Sequence, residues 1–576
     1  MIKLFRLLKP YRIPIAATVI IVFAQVMGNL YLPNLMSDIV NKGITNSDIG
    51  YILRTGGRML LVALGSSASA VVASYLSSHI AVGFSENLRR LVFSRVSRFS
   101  LAEFDRFGTP SLVTRSTNDV TQIQNVLIMI QRMMIAAPLT AVGGMILALD
   151  KDRGLAWVIL VAIPVLGIFI GAVAAKGFPL FQSIQKKVDK INLLLRENLT
   201  GIRVIRAFNK DDFEICRFDE RNADLMETSV RVNRIFAMLF PVMMLIMNLT
   251  MVAILWFGSL RVDRGLTNIG DMMAFLQYGM LILFSFLMAS IMFIMVPRAQ
   301  ASAERINEIL GVDPGIVDPP HPRTPDPGRA GFVEFRDVSF AYHGAESPAI
   351  SGVSFTAGPG ETTAVIGSTG SGKSTLVSLI PRFYDVDSGS VLVDGVDVRE
   401  MSQKDLHSRI GIVPQQAVLF SGTVAENLRY GNPEADDDDL ARAAETAQAL
   451  DFILAMEKGF DSEISQGGTN VSGGQKQRLS IARALVKEPD IYLFDDSFSA
   501  LDFKTDSLLR AALKKVTGRA AVIIVSQRVA SIMDADRIIV LDEGRVAGMG
   551  THKELYGDCA VYREIVRSQL SEDEIA

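Results

Sequence analysis

Nine consecutive residues, Gly367-Ser368-Thr369-Gly370-Ser371-Gly372-Lys373-Ser374-Thr375, follow the apolar run Ala364-Val365-Ile366. They read G-x-x-x-x-G-K-S between a strand and a helix, a pattern whose chemistry is phosphate binding. Glycines let the backbone wrap the phosphates, Lys373 brings a point charge to the β and γ groups, and the Ser374 hydroxyl is a ligand for Mg²⁺. A second cluster lies downstream, in Val471-Ser472-Gly473-Gly474-Gln475. It places a hydroxyl and two amides without side chains at the start of a helix, where unpaired N–H groups and the helix dipole favour a phosphate. Sixteen residues after Gln475, the apolar run Ile491 to Phe494 ends in Asp495-Asp496. A buried parallel strand delivers carboxylates at its C-terminal edge in this way, and Asp495 would hold the Mg²⁺ across from Ser374. Asp502 closes the stretch and is counted with the nucleotide contacts.

These two segments together resemble those of ATP-binding cassette (ABC) transporters of the exporter kind, in which one chain carries both membrane and nucleotide-binding parts. The resemblance covers nearly the whole chain. It implies an α-helical six-span transmembrane domain fused to an α/β P-loop nucleotide-binding domain, with ATP and Mg²⁺ as cofactors. It also implies that the VSGGQ segment of one cassette caps the ATP held by the phosphate loop of a facing cassette. Three more residues take roles by resemblance. Tyr342 stands at the spacing of the adenine-stacking aromatic, Gln415 in Ile412-Val413-Pro414-Gln415 matches the glutamine that reaches Mg²⁺ and the attacking water, and Gln527 occupies the place of the switch histidine.

The rest of the chain must position these groups. Its 576 residues exceed one core, and 49% of them are hydrophobic, so a membrane part is expected. Apolar stretches long enough for a hydrocarbon core of about 30 Å lie near 13–36, 57–82, 127–149, 154–178, 235–260 and 271–296. The connections near 37–56, 150–153 and 261–270 are short and mixed in charge. Arg89, Arg90, Arg95, Arg98, Lys186, Lys187, Lys190, Arg203, Arg206 and Lys210 crowd the other side, which makes that side and both chain ends cytosolic. The expected location is a bacterial inner membrane, with the nucleotide-binding domain in the cytoplasm. Lys3, Arg6, Lys9 and Arg12 precede a first apolar run too long for a signal-peptide core, so a retained span is expected.

A formal charge of -3 leaves no basic excess, and nucleic acid is not an expected partner. Cys216 and Cys559, both placed in cytosolic segments, are given no role. Polar span residues Gln25, Asn29, Arg132, Asn248 and Gln277 could line a cargo path or join helices. The span methionines Met129, Met133, Met134, Met243, Met244, Met247, Met251, Met288, Met292 and Met295 suit either ordinary packing or a deformable wall for apolar cargo. Six prolines between Gly311 and Gly331 mark a semi-rigid linker, dividing a transmembrane domain over 1–310 from a nucleotide-binding domain over 332–576. The strand before Tyr342 is expected from Phe332 to Tyr342, and a helix is expected to start at the acidic run Asp436 to Asp439. Two long intracellular connections, Phe104 to Val120 and Glu197 to Lys210, resemble the exporters' loops whose tips are short coupling helices. Phe208 is the expected docking knob of the second.

Two departures from the family pattern fall on one catalytic step. Hydrolysing sites carry Glu directly after the Mg²⁺-binding Asp, and here Asp496 stands there, its carboxylate roughly 1.5 Å back; a misplacement of about 1 Å can cost on the order of a hundredfold. Gln527 can hydrogen-bond to phosphate but takes up no proton near neutral pH, as His would. Lys373, Ser374, Asp495, Gln415 and VSGGQ are retained. The expectation is a degenerate site with a healthy signature, in a half-transporter whose partner is a second ABC half-transporter bearing Glu and His. Membrane lipid surrounds the pair, and small amphipathic molecules, drugs or lipids are the cargo. The alternatives are a homodimeric exporter in which Asp496 suffices and, in another class, an ATP-gated regulator or channel without uphill transport.

Overall fold

The computed structural model describes residues 1–570, apart from the side chains of residues 2, 178, 181–182, 290–294 and 327. The side chain of Met292 and the end of the expected nucleotide-binding domain, 571–576, therefore lie outside the described residues. The chain divides into two compact units, one of Met1–Ser97 with Pro110–Val312 and the other of Arg98–Thr109 with Asp313–Ala576.

Six helices of the described residues are long and apolar enough to cross a membrane. They start from Arg12–Asp38, Ile49–Val96, the run Asn118–Met129 through Ile135–Lys151, Ala156–Ala207, Asp211–Ala237 continued by Leu239–Asp263, and Ile269–Gly311. A helix is the form in which a single apolar segment satisfies every backbone polar group in hydrocarbon. The third span is interrupted by a π-helical turn, Ile130–Met134. Pro138 follows in the next turn, and it cannot donate an N–H to the Met134 carbonyl one α-turn back. The bundle core contains Val26, Leu30, Leu155, Ile159, Ile254, Phe275, Tyr278 and Ile282. The one polar group of that set is paired, the Tyr278 hydroxyl donating to the Leu30 carbonyl at 3.0 Å.

The helix ends away from the cytosol are tied by polar groups. Ser37 of the first span donates to Asp271 of the sixth at 2.6 Å, and Lys151 of the third meets the same carboxylate at 3.0 Å. Asn41 accepts from the Gly270 N–H at 2.8 Å, and Arg261 donates to the buried Asp152 at 2.9 Å. On the cytosolic side Asp119, 2% exposed, accepts from Ser302 at 2.9 Å and from Arg305 Nε at 2.8 Å, while Arg115 pairs with Glu308 at 2.7 Å.

The second unit has an open six-stranded sheet in the order β12-β11-β3-β10-β9-β6. Its strands are β3 (Thr362–Gly367), β6 (Ile410–Val413), β9 (Ile491–Asp495), β10 (Ala521–Val525), β11 (Arg537–Asp542) and β12 (Arg545–Gly550). All neighbours pair in parallel except β11 with β12. A second, antiparallel sheet runs β2-β1-β4-β5, from β1 (Val333–Phe340), β2 (Ile350–Ala357), β4 (Ser388–Val393) and β5 (Val396–Asp397). The pair β7 (Gly422–Thr423) and β8 (Glu463–Ile464) stands apart. Strand β9 is buried on both faces: Tyr492 and Phe494 enter one core with Leu479, Ile481 and Tyr562, and Ile491 and Leu493 enter the other with Val365, Leu376 and Ile523. This two-sided burial explains its continuous apolar sequence.

Two expectations are corrected here. The strand expected from Phe332 to Tyr342 spans only Val333–Phe340, because Ala341 turns its N–H to the Asp387 carboxylate at 2.7 Å and leaves the ladder, so Tyr342 lies beyond the strand. The second intracellular tip has no separate short helix. Helix-favouring sequence carries Ala156–Ala207 to the end, Asn209 reverses the chain with φ 51°, and the next helix starts at Asp211. Phe208 sits in that turn with 72% of its surface exposed. The first tip does form a short helix, Leu101–Phe107, started by a Ser100–Glu103 capping box and stopped by Gly108 at φ 72°. The acidic run behaves as expected, with Asp436 capping the helix Asp437–Thr446.

Candidate functional site

The phosphate-loop residues join the end of β3 to the helix Lys373–Leu379. Gly372 has φ 95°, and a Cβ there would lie 2.7 Å from Ile350 Cγ2, so both the turn and the packing require glycine. Gly370 at φ 85° completes the loop, and a Cβ there would meet open space. Lys373 is 7% exposed and its Nζ donates back to the carbonyls of Gly367 at 2.9 Å and Ser368 at 2.7 Å. Burial holds its pKa below the usual lysine value, with Asp496 and Asp495 acting against the shift. Within the same loop the Ser371 hydroxyl is buried with no hydrogen-bond partner. A buried orphan hydroxyl and a buried ammonium satisfied only by the loop's own carbonyls fit the oxygens of a polyphosphate.

Two strands away, β9 brings its carboxylates to the same edge. Its pairing with β10 sets Asp495 opposite Val525, and β10 sets Val525 opposite Val365. Ser374 Oγ donates to Asp495 Oδ1 at 3.0 Å, which joins the two oxygen ligands expected for Mg²⁺. No group of three or more His, Cys, Asp or Glu among the described residues is set to hold a metal. A site of one carboxylate and one hydroxyl suits Mg²⁺, which keeps waters and takes phosphate oxygens rather than an all-protein cage. Burial raises the pKa of Asp495, and of Asp496 beside it, above the usual carboxylate range. A cation at this edge would therefore be welcome to both.

Asp496 stands at φ 45°, a left-handed conformation, with its N–H donating to the Val525 carbonyl at 3.0 Å. Gln527 Nε2 donates to Asp496 Oδ2 at 3.3 Å. The Gln527 backbone and the Gln415 side chain also hydrogen-bond to this carboxylate and oppose its raised pKa. Lys373, Ser374, Gln415, Asp495, Asp496 and Gln527 thus form one constellation.

The other expected site residues lie in different settings. Ser368 and Thr369 continue the loop. The Tyr342 hydroxyl is 3.0 Å from Thr375 Oγ1, and its half-exposed ring stands edge-on to Phe340 and Tyr384 at 5.0 and 5.4 Å. Ser472 caps the helix Gly473–Val486, its Oγ accepting from the Gln475 N–H at 3.3 Å while Gln475 Oε1 accepts from the Ser472 N–H at 2.8 Å. These bonds stay within their own turn, so the constellation around Lys373 does not include Ser472, Gly473, Gly474 or Gln475. A Cβ on Gly473 would meet open space, and one on Gly474 would lie 3.4 Å from the Ala500 carbonyl. The Asp502 carboxylate is engaged in capping the helix Phe503–Val516, through the Thr505 N–H at 2.9 Å and hydroxyl at 2.7 Å.

Sequence reasoning missed Tyr384. Its hydroxyl donates to Asp105 Oδ2 at 3.1 Å, and the Gly315 N–H donates to Glu103 Oε1 at 3.2 Å, so the short helix of the first tip is held inside the second unit. Asp105 and Tyr384 are 279 residues apart, and no local pattern marks such a pair.

The transmembrane unit has a cavity of ≈ 390 Å³ lined by Asn29, Leu32 and Pro33 of the first span, Met251 of the fifth, and Leu276, Gln277, Met280 and Leu281 of the sixth. It brings together two of the five polar residues singled out above.

Comparison with known proteins bears on the whole chain. The model described as "ABC transporter transmembrane region" matches residues 15–287, and that described as "ABC transporter" matches residues 350–499. An uncharacterized ABC transporter ATP-binding protein of Mycobacterium tuberculosis (strain CDC 1551 / Oshkosh) is 42% identical over 565 residues, covering 98% of this chain and 97% of its own. An ATP-dependent lipid A-core flippase of Chromobacterium violaceum is 32% identical over 540 residues, covering 93% and 92%. Among solved structures, a bacterial Atm1-family ABC exporter with ATP bound superposes with TM-score 0.80 at 24% identity, covering 97% of this chain and 99% of that one. This last likeness is one of fold.

Proposed function

Since the chain belongs to the ABC transporter family, a multi-pass membrane protein with a cytoplasmic ATP-hydrolysing cassette and exporter fold, we propose that it is the degenerate-site half of a heterodimeric exporter. In this reading a transmembrane domain over 1–310, a linker over 311–331 and a cassette over 332–576 make one half of a twelve-helix pore. The cassette supplies Ser472, Gly473, Gly474 and Gln475 to the ATP held by a partner bearing Glu and His. Small amphipathic molecules, drugs or lipids are the cargo; the cavity between Asn29 and Gln277 is compatible with such molecules.

The observation that carries the proposal is the 3.3 Å hydrogen bond between Gln527 and Asp496. The two departures form a unit. An amide that donates to the carboxylate stabilises its charged form and so weakens it as a base, and it brings no titrating group to the γ-phosphate. When ATP and Mg²⁺ are bound, the nucleotide supplies the phosphoryl group and the ion its charge neutralisation. Lys373 and the loop amides would hold the phosphates, Ser374 and Asp495 the ion, and Tyr342 the base, while Gln415, hydrogen-bonded to Asp496, would stand beside the ion. Binding is complete and proton abstraction is weak.

A second reading, the homodimer, draws on the buried setting of Asp496: a raised pKa makes this carboxylate a stronger base than an ordinary aspartate. Steady-state ATPase of the purified lone chain, beside the chain co-purified with a natural partner, separates the two. The heterodimer predicts activity in the pair, with Asp496→Asn losing no more than about threefold and Gly474→Asp losing on the order of a hundredfold. A lone chain as fast as the pair, silenced by Asp496→Asn, would favour the homodimer.

A further inference from the structure

We infer that the π-turn Ile130–Met134 of the third span holds an anion site, in which Arg132 takes the acidic headgroup of a membrane amphiphile, a carboxylate or phosphate ester on an apolar tail.

Arg132 is the single charged residue between Asp119 and Asp150. Its side chain is exposed and forms no hydrogen bond or ion pair among the described residues. The nearest carboxylate upstream, Asp119, is committed to Ser302 and Arg305. An ionisable residue kept in a span without a partner marks a ligand or transport path more often than a packing role.

Beside it, Gln131 is 5% exposed, and both its amide atoms are buried without a partner. A buried amide unsatisfied on both atoms is costly in hydrocarbon, and π-turns in α-helices recur at functional sites. The turn packs against the first, second and sixth spans, so it is held in place rather than frayed.

Depth selects the class of ligand. From Lys151 at the outer end, the third span descends roughly 28 Å to Arg132 at 1.5 Å per residue, close to the full core thickness of about 30 Å. Arg132 lies near the inner end of the apolar stretch 127–149, and its long side chain can carry the guanidinium to the inner-leaflet headgroups. There a planar guanidinium pairs two-fold with carboxylate or phosphate oxygens. The same stretch of helix carries Met129, Ile130, Met133 and Met134, apolar side chains of a kind that a tail packs against.

The inference rests on the transport reading only in treating the bound amphiphile as cargo, so equilibrium binding tests it separately. The full chain in neutral-lipid nanodiscs would be titrated with a fluorescent long-chain fatty acid, with its methyl ester, and with inorganic phosphate as competitor, in parent, Arg132→Gln and Arg132→Lys forms. Nucleotide affinity of each form reports folding. The acid should bind at least tenfold more tightly than the ester, Arg132→Gln should erase that difference, and Arg132→Lys should keep part of it. Equal binding of acid and ester, or an unchanged difference in Arg132→Gln, overturns the site. Displacement by millimolar inorganic phosphate would make it a site for a soluble anion and overturn the amphiphile. Loss of acid binding on assembly with a second half-transporter would show that a protein carboxylate takes Arg132, and would overturn it too. Tight binding without movement across a bilayer would leave the site standing and remove the transport reading.

Discussion

The cassette's chemistry turns on a few buried charges whose costs have signs that can be worked out. Burial raises the pKa of Asp496 in the folded chain above its unfolded value. Such a carboxylate costs stability above its folded pKa, and the cost disappears as pH falls through that value. Asp496→Asn should therefore raise the thermal midpoint of the nucleotide-free chain at pH 8 and do so less at pH 5; an equal shift at both would mean that the carboxylate is not penalised by burial. Lys373 has the opposite character, an ammonium already lowered by burial and satisfied by two carbonyls. Lys373→Ala should weaken ATP-analogue photolabelling on the order of tenfold or more, and undiminished labelling would remove the loop from the site. These residues were legible in the sequence because each motif is local. The spacing of Lys373 and Ser374, or the run ending in Asp495, needs no tertiary partner to be seen. The hydrogen bond between Gln527 and Asp496 was not legible, although both departures were, because it depends on β9 and β10 being neighbours.

At the scale of elements, the hydrophobic runs located all six spans, and the short apolar runs Ala364 to Ile366 and Ile491 to Phe494 located the central strands β3 and β9. Sequence failed at the second tip and not at the first. The first tip has a strong helix stop in Gly108 and a capping box before it, so its short helix could have been read in detail. At the second, the same reading carried over a helix by resemblance where the chain makes only a turn at Phe208 and Asn209. The long helices also depend on ties that no periodicity displays. Asp119 holds Ser302 and Arg305 across 183 and 186 residues of sequence. Asp119→Ala leaves the buried Ser302 hydroxyl without its acceptor and the Arg305 guanidinium with the Ser302 oxygen alone of this cluster, at a cost of about 1–3 kcal/mol. Thermal unfolding of the detergent-solubilised chain should fall accordingly, and more than for Glu308→Ala, whose partner Arg115 also donates to the Arg305 carbonyl. A midpoint unchanged by Asp119→Ala would show the cluster to be incidental to stability.

For the whole molecule, the relevant feature is the group of polar ties at the helix ends facing away from the cytosol. Lys151 and Asp271 are 17% and 18% exposed, and the Ser37 hydroxyl lies between them. Mobile ions weaken contacts between exposed charges beyond a Debye length of about 8 Å at physiological ionic strength, and have far less hold on a partly buried pair at contact distance. Any motion that parts the first span from the sixth must break the same bonds whether the outside medium is dilute or briny. Turnover of proteoliposomes should accordingly stay flat as external NaCl is raised, whereas exchanging the pair for exposed charges would make it drift with salinity. The tie between the first and sixth spans thus has a strength set by the protein and not by the water it faces.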